Sequence, residues 1–423
     1  MKPLIFVYVM TYGGVLAALI RPYTGFLIYV SFAIIKPYAL WYWAIPRGNY
    51  DQTIAIGFLV GWFLHGCGNC ALGRGSASLL CLVAYWIVLV IAAAMAPIPE
   101  LGWGPVEPLS KTFLPILAGA SLIDSVKRLK QLIWVIVISQ GYLAYEFNLT
   151  YLNSPMFVPW EWTHAGLDNN GIAITMVTSI GMAFFLGIYA PNIWQRLVAL
   201  ACAALMAHVV LFSNSRGGML AMIATGVVAF LLMPKRPKYL LLFGFAIVGV
   251  LAFAGTAVQE RFLSSFMSKE EGSDEGAQRM GHWVACIQSM SEQPLGVGPR
   301  HWRTVAPMYG LDAIEAHSTW LQMGAELGVL GLACLLGYYL ITMWRLYSFV
   351  RRPEPHHDPW FQYTGRMVLC SLFGFLVSAQ FVTVDAIELP YYIALCGIGV
   401  LKVASAQAAE APDEVESPRV AES

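Results

Sequence analysis

The chain alternates between long apolar runs and short polar connections, a pattern typical of a protein that crosses a membrane many times. A hydrocarbon core of about 30 Å requires about 20 apolar residues per helix. Runs near this length predict about twelve spanning helices, and a shorter apolar run covers 112–123. The twelve runs are 3–20, 23–45, 52–66, 78–96, 131–149, 170–190, 195–213, 217–233, 239–258, 317–343, 361–382 and 388–404. The sequence therefore predicts an all-α, polytopic integral membrane protein.

Composition supports this fold class. Of the 423 residues, 58% are hydrophobic and 12% are charged, whereas soluble domains carry about 45–50% apolar and about 25% charged residues. This composition excludes a soluble enzyme, a disordered protein and a secreted disulfide scaffold. The 25 basic and 25 acidic residues give a net charge of zero, so global charge indicates no nucleic-acid partner.

Basic residues concentrate in a few short connections between the apolar runs. The positive-inside rule predicts that such connections face the cytoplasm. They contain Lys127, Arg128, Lys130, Lys235, Arg236, Lys238, Arg345, Arg351, Arg352 and Arg366. The intervening connections, including 97–110, 150–169 and 213–216, are then expected on the non-cytoplasmic side.

The connection over residues 259–316 is far longer than the others. Long loops outside a helical bundle often carry function. We therefore divide the chain into an N-terminal bundle of spanning helices (1–258), a non-cytoplasmic loop expected to carry active-site residues (259–316), C-terminal spanning helices (317–404) and a disordered cytoplasmic tail (405–423).

Within the long loop, the spacing of apolar residues predicts an amphipathic helix over Gln278–Met290. Its apolar stripe comprises Met280, Trp283, Val284, Ile287 and Met290. Arg279 and His282 share another face, which is either solvated or contacts an anion. Arg300 and Arg303, after a glycine-proline turn, are secondary candidates for the same role.

Arg216 lies between two apolar runs, in the segment Phe212-Ser-Asn-Ser-Arg-Gly-Gly218. An arginine near the end of a span often reaches toward the lipid headgroups. Here, polar residues and two glycines surround it on the side opposite to the basic connections. A fixed fork of donors in that position is suited to a phosphate or diphosphate.

His317 opens the tenth predicted span and titrates near neutral pH, so it is a candidate to accept a proton from a hydroxyl. It is alternatively an interfacial polar residue. Glu326 lies inside the same span, where an ionisable group is functional or partnered by default. Gly324, Gly328 and Gly331 indicate close helix packing.

His164 is a further secondary candidate, in the connection before the sixth predicted span. Asp168 or Asn169, which follow it, is expected to cap that helix. Cys67 and Cys70 have CxxC spacing, but no second pair or histidine cluster completes a metal site.

The order Ser213-Asn-Ser-Arg216-Gly-Gly, Arg279 and Trp283, Pro-Leu-Gly-Val-Gly, and His317 with Gln322, Glu326 and Gly328 resembles the O-antigen ligase and polymerase superfamily of bacterial envelopes. The similarity covers roughly residues 170–345. Arg21-Pro-Tyr-x-Gly and Gly166-Leu-Asp-Asn-Asn resemble the subgroup proposed to glycosylate proteins. Two features depart from the family: Ser318 replaces a frequent asparagine, and the loop is somewhat short.

The resemblance implies a GT-C-like enzyme of the bacterial inner membrane that acts on the periplasmic side. Its substrates would be an undecaprenyl-diphosphate-linked glycan and an acceptor hydroxyl, on a lipid A core sugar or on a protein serine or threonine. Arg216 and Arg279 would bind the diphosphate, and His317 would be the catalytic base. The reaction would be inverting and need no metal or cofactor; the sequence offers no DxD-type carboxylate pair.

Two alternatives remain open at this point. A Wzy-type polymerase would join repeat units with the same donor and base. A polysaccharide or lipid transporter would instead predict broken helices or charged residues at the bilayer midplane in paired halves, and no such repeat is visible. The acceptor, the glycan and the oligomeric state do not follow from the sequence.

Overall fold

The computed structural model describes residues 2–46, 48–154, 157–253, 273–352, 357–384 and 387–410. Within these ranges the regular elements are helices, apart from an isolated bridge between His164 and Leu167. The predicted all-α class is confirmed.

The helices are named in chain order. They are α1 (Lys2–Ile20), α2 (Pro22–Ile35), α3 (Pro37–Leu40), α4 (Tyr50–Leu64), α5 (Ser76–Ala94), α6 (Pro99–Gly102), α7 (Val106–Leu122), α8 (Val126–Asn153), α9 (Asn169–Tyr189), α10 (Ile193–Phe212), α11 (Arg216–Leu232), α12 (Pro237–Phe253), α13 (Ser273–Glu292), α14 (Trp302–Val305), α15 (Thr319–Arg351), α16 (Pro359–Ser378) and α17 (Leu389–Glu410).

Eight of the described helical segments are long and apolar enough to cross a membrane, and α11 and α12 are shorter apolar helices. Within the described residues, each apolar run found in the sequence overlaps at least one helix. The polytopic membrane fold is therefore confirmed, whereas the expected number of about twelve spans is not.

Three helices depart from the predicted runs. The run 23–45 is interrupted at Lys36, whose φ of 46° is left-handed, so that α2 and α3 are separate. The run 317–343 is broken at Gly328, where φ is 72° and ψ is 178°. Helix α17 continues to Glu410, beyond the predicted end at 404, and the rest of the predicted tail lies outside the described residues.

Helices α9 and α17 form the centre of the bundle. In their most apolar windows, 94% of α9 and 89% of α17 is buried by the rest of the protein, compared with 22% of α1. Apolar side chains on all sides of a helix are typical of this central position. The Asp168 side chain caps α9 by accepting a hydrogen bond from Gly171 N at 2.7 Å, as predicted.

One end of the bundle, here called the basic end, joins several of the lysine- and arginine-rich connections. The Tyr23 hydroxyl donates to the Arg128 carbonyl, which links the starts of α2 and α8. The Arg345 guanidinium donates to the Arg74 carbonyl, which links the end of α15 to the start of α5. Helix α11 begins at Arg216 and runs to Leu232, a length of about 25 Å at 1.5 Å per residue, so Arg216 lies at the opposite end from the 234–238 connection.

Candidate functional site

Arg216 is the first residue of α11, and the turn before it has a defined geometry. Asn214 has a left-handed φ of 55°, a conformation that asparagine tolerates. The Ser215 side chain caps the helix by accepting a hydrogen bond from Gly218 N at 3.1 Å. Arg216 itself is exposed. Its charge therefore stands at the helix N-terminus, where the helix dipole adds to the attraction of an anion.

Gly217, next to Arg216, allows Phe381 to approach the start of α11 closely. A Cβ atom on Gly217 would lie 2.7 Å from the Phe381 Cβ atom. Phe381 belongs to the connection between α16 and α17. The turn before α11 is thus packed directly against this connection, and no residue larger than glycine fits there.

The loop helix α13 is confirmed, but its apolar stripe is not the buried face. His282 and Cys286 are completely buried. Met280, Val284 and Ile287 are each more than half exposed. The reason is a contact between helices: the face of His282 and Cys286 packs against Trp302, the first residue of α14.

Trp283 connects α13 to the rest of the site. Its ring lies 6.3 Å from that of Phe381, centroid to centroid. Its Nε1 donates to the Ala316 carbonyl at 3.0 Å. Arg279, half-buried, lies one turn earlier on the same side of the helix. The contacts of Trp283 therefore bring the Arg279 side of α13 next to both Phe381 and the residue before His317.

His317 has a left-handed backbone, with φ of 52°. Non-glycine residues in this region cost about 1–3 kcal/mol and cluster at functional sites. The neighbours hold it in place: Ala316 N donates to Gln322 Oε1 at 3.0 Å, and the Ser318 hydroxyl caps α15. The His317 side chain itself is half-buried, so it remains accessible to a substrate.

The connection 379–384 lies between these three segments. Beyond its contacts with Gly217 and Trp283, it receives the start of α15: Thr319 N donates to the Ala379 and Val382 carbonyls at 2.8 and 3.0 Å. The Thr319 hydroxyl donates to Val382 O at 2.7 Å. The segments of Arg216, Arg279 and His317 thus meet around this one short connection. We call the end of the bundle at which they meet the site end.

Sequence reasoning did not identify Phe381 or Thr319. Both are apolar or weakly polar residues without catalytic chemistry, and their importance comes from contacts between helices distant in the chain. Phe381 falls inside the predicted span 361–382 and Thr319 inside 317–343, so no signal in the sequence separated them from other residues of the spans.

Glu326 is partnered. Its carboxylate, 2% exposed, accepts hydrogen bonds from Arg300 N at 2.8 Å and from Trp302 N at 3.2 Å. Gln322 Nε2 donates to the same carboxylate at 3.1 Å. The acidic side chain therefore fixes the turn after α13 onto α15, from a buried position in which an unpaired charge would be costly.

The glycine-proline turn is inserted into the break of α15. Gly298 N donates to the Glu326 carbonyl and Val329 N to the Pro294 carbonyl. Gly328 was predicted to serve helix packing, but it opens the helix: a Cβ there would lie 2.2 Å from Pro294 O. Gly324 does serve packing, because a Cβ would lie 2.4 Å from Met290 Sδ of α13.

The secondary candidates take different places. Arg303 forms a salt bridge with Glu315, Nε to Oε1 at 2.9 Å. The exposed Arg300 side chain lines a small pocket with Glu326 and Tyr85. His282 accepts a hydrogen bond at Nδ1 from Trp302 Nε1 at 3.3 Å, and burial lowers its pKa.

His164 lies in another pocket, also at the site end, which Gln140, Lys36 and Glu388 line as well. Lys36 Nζ and Glu388 Oε1 form an ion pair there, 3.6 Å apart. Burial lowers the pKa of His164 to about 4, so the ring is neutral near pH 7. A neutral, buried imidazole does not add positive charge for a diphosphate.

The two arginines remain available to an anion. Within the described part of the chain, neither Arg216 nor Arg279 pairs with a carboxylate. In the same residues, no three histidine, cysteine or carboxylate side chains come close enough to bind a metal ion. The site therefore offers two guanidinium groups that can bind an anion, from Arg216 and Arg279, and the imidazole of His317.

Loss of the Glu326 carboxylate should loosen the turn. In Glu326→Ala, the buried Trp302 N–H and the partly buried Arg300 N–H lose their acceptor, and a buried N–H left unsatisfied costs about 1–3 kcal/mol. We expect a lower thermal midpoint in detergent and faster proteolysis between α13 and α15. Glu161→Ala, which removes an exposed carboxylate in the connection before α9, is the control and should leave both properties near wild type. Equal stability of the two variants would contradict this role of Glu326.

A family model described as O-antigen ligase matches residues 201–336. The resemblance to the O-antigen ligase superfamily that the sequence motifs indicated is thus confirmed over this segment, which includes Arg216, Arg279, His317 and Glu326. No curated protein matches the chain. Together with the helical fold, the match indicates a membrane enzyme of the O-antigen ligase or polymerase type.

Proposed function

We propose that the protein transfers a glycan from an undecaprenyl-diphosphate carrier to an acceptor hydroxyl at the site end of the bundle. The observation that carries this proposal is the packing of three segments, those of Arg216, Arg279 and His317, around the 379–384 connection. Two cations and one imidazole match the two requirements of the reaction, a leaving diphosphate and a hydroxyl that must lose its proton.

Arg216 and Arg279 would bind the diphosphate. As the bond between the sugar C1 and the phosphate oxygen breaks, negative charge grows on the leaving group. Fixed guanidinium groups stabilise that charge in the transition state more than in the ground state, which is what accelerates a reaction. The N-terminus of α11 adds its partial positive charge at the same place.

His317 would remove the acceptor proton while the new bond from the acceptor oxygen to C1 forms. Attack on the face opposite to the diphosphate would invert the anomeric centre. The accessibility of His317 supports this role over His282, because the His282 ring is completely buried and bonded to Trp302. The pairing of Glu326 with the backbone of the turn also supports His317 over this carboxylate.

The acceptor would be a lipid A core sugar or a protein serine or threonine, as in a ligase. The family description favours ligation over polymerisation. Analysis of lipid-linked oligosaccharides in a deletion strain separates the two. Full-length chains retained on the carrier are expected for a ligase; single repeat units accumulating there would indicate a polymerase.

The site end should face the periplasm, because the lysine- and arginine-rich connections lie at the other end. A cysteine introduced at Ser273, in α13, is expected to react with a membrane-impermeant maleimide in intact cells. One introduced at Lys235 should react only after permeabilisation. The native cysteines are first replaced by serine or alanine as background. The reversed labelling pattern would invert the topology and remove the proposed mechanism.

A further inference from the structure

A further polar pocket lies at the basic end, remote from the site end. Its lining combines the turn before α5, the last part of α15 and one residue of α17. The residues are Gly73, Arg74, Ser76, Arg345, Ser348, Phe349 and Leu401. It contains two arginines, two serine hydroxyls and, among the described residues, no carboxylate. Such a lining is suited to a phosphate group.

The backbone of this pocket is fixed by close contacts. Gly73 has a left-handed φ of 50°, and a Cβ there would lie 2.4 Å from the Ser405 Cβ atom of α17. Arg74 N donates to the Ser405 hydroxyl at 3.1 Å. The turn before α5 is therefore held against α17, and this contact sets the position of the Arg74 carbonyl.

That carbonyl orients the second arginine. The Arg345 guanidinium donates to it through Nη1. One edge of the guanidinium is thus held by the protein, and the exposed Arg74 side chain lines the same pocket. Two guanidinium groups that line one pocket can share one phosphate.

The surface next to the pocket is apolar. Helices α5 and α15 pack against each other, and both present large exposed apolar side chains beside their contact. On α5 these are Leu80, Ile87 and Ile91, and on α15 they are Leu340, Trp344 and Tyr347. Trp344 is adjacent to Arg345 and 75% exposed. Aromatic residues at this level are typical of the membrane–water boundary.

We propose that this pocket binds the headgroup phosphate of an anionic phospholipid, whose acyl chains lie along the exposed apolar surface of α5 and α15. Basic pockets between membrane helices on the cytoplasmic side bind anionic headgroups in this way. Free phosphate would use the arginines but not the apolar surface. The two arginines of the pocket lie next to this apolar surface, and the combination therefore favours a lipid over a free anion.

The test is native mass spectrometry of the delipidated full chain, titrated with phosphatidylglycerol, with phosphatidylcholine or with inorganic phosphate. Phosphatidylglycerol should bind more tightly than phosphatidylcholine and raise the thermal midpoint of unfolding. Arg74→Gln and Arg345→Gln should each weaken phosphatidylglycerol binding about five-fold, since one arginine near a headgroup contributes about 1 kcal/mol. Arg74→Gln keeps the backbone carbonyl that Arg345 contacts, so it isolates the charge.

Arg351→Gln and Arg352→Gln are the matched controls, because both arginines are exposed at the end of α15 and do not line the pocket. Each should bind the lipid as the wild type does. An equal loss in the controls would mean diffuse surface charge, and equal affinity for both lipids would mean no headgroup site. Binding of inorganic phosphate as tight as that of phosphatidylglycerol would assign the pocket to a free anion. Each of these results overturns the proposal, which is independent of the proposed transfer reaction.

Discussion

His317→Ala is expected to lower the rate of glycan transfer about 10²–10⁴-fold, the usual contribution of a positioned general base. Donor binding should persist, because under the proposed mechanism Arg216 and Arg279 bind the diphosphate. The measurement is in vitro transfer from purified lipid-linked donor, with donor binding determined separately. A loss in turnover without a loss in donor affinity is the result that distinguishes a base from a binding residue.

The left-handed backbone at His317 calls for a second variant, since alanine disfavours a φ of 52°. Asparagine tolerates this conformation and cannot act as a base near pH 7. His317→Asn should therefore fold as the wild type does and lose as much rate as His317→Ala. His282→Ala is the comparison: it should lower stability, since the ring is buried against Trp302. Near wild-type turnover in both His317 variants, with loss of turnover in His282→Ala, would move the base into α13.

Arg216→Ala and Arg279→Ala are each expected to lower transfer about 10²–10³-fold, comparable to the removal of one donor to a developing anion. Lysine at either position should restore only part of the rate, because an ammonium group cannot offer the bidentate fork of a guanidinium. Expression and thermal midpoint should stay near wild type, since within the described residues neither arginine pairs with a carboxylate.

A double-mutant cycle tests whether the two arginines share one anion. If both bind the same diphosphate, the effects of the single variants should not add in the double variant. Arg351→Ala, at the basic end, is the control and should transfer at the wild-type rate. Full activity of Arg216→Ala and Arg279→Ala would instead show that these side chains are headgroup contacts.

The sequence by itself determined the fold class. Apolar runs near the thickness of a bilayer leave few alternatives to membrane helices, because backbone groups in lipid must satisfy their hydrogen bonds within the helix. It also determined which polar residues to consider. Arg216 and His317 stand out against an apolar background, and their order along the chain led to the superfamily that the match at 201–336 supports.

Only the tertiary structure decided which faces are buried and what each polar residue contacts. The apolar stripe of α13 was a poor guide, because the helix packs through His282 and Cys286 onto Trp302 instead. Gly328 breaks α15, although helical spacing alone indicated a continuous span.

The same physical reason applies to Glu326 and to Phe381. The Glu326 carboxylate accepts hydrogen bonds from Arg300 N and Trp302 N and so holds the turn after α13 in place. Phe381 contacts Gly217 and Trp283 and so lies at the centre of the site end. Periodicity records only the neighbours along one helix. Contacts between helices far apart in the chain depend on how the whole bundle packs, which is determined by many residues together and not by any single one.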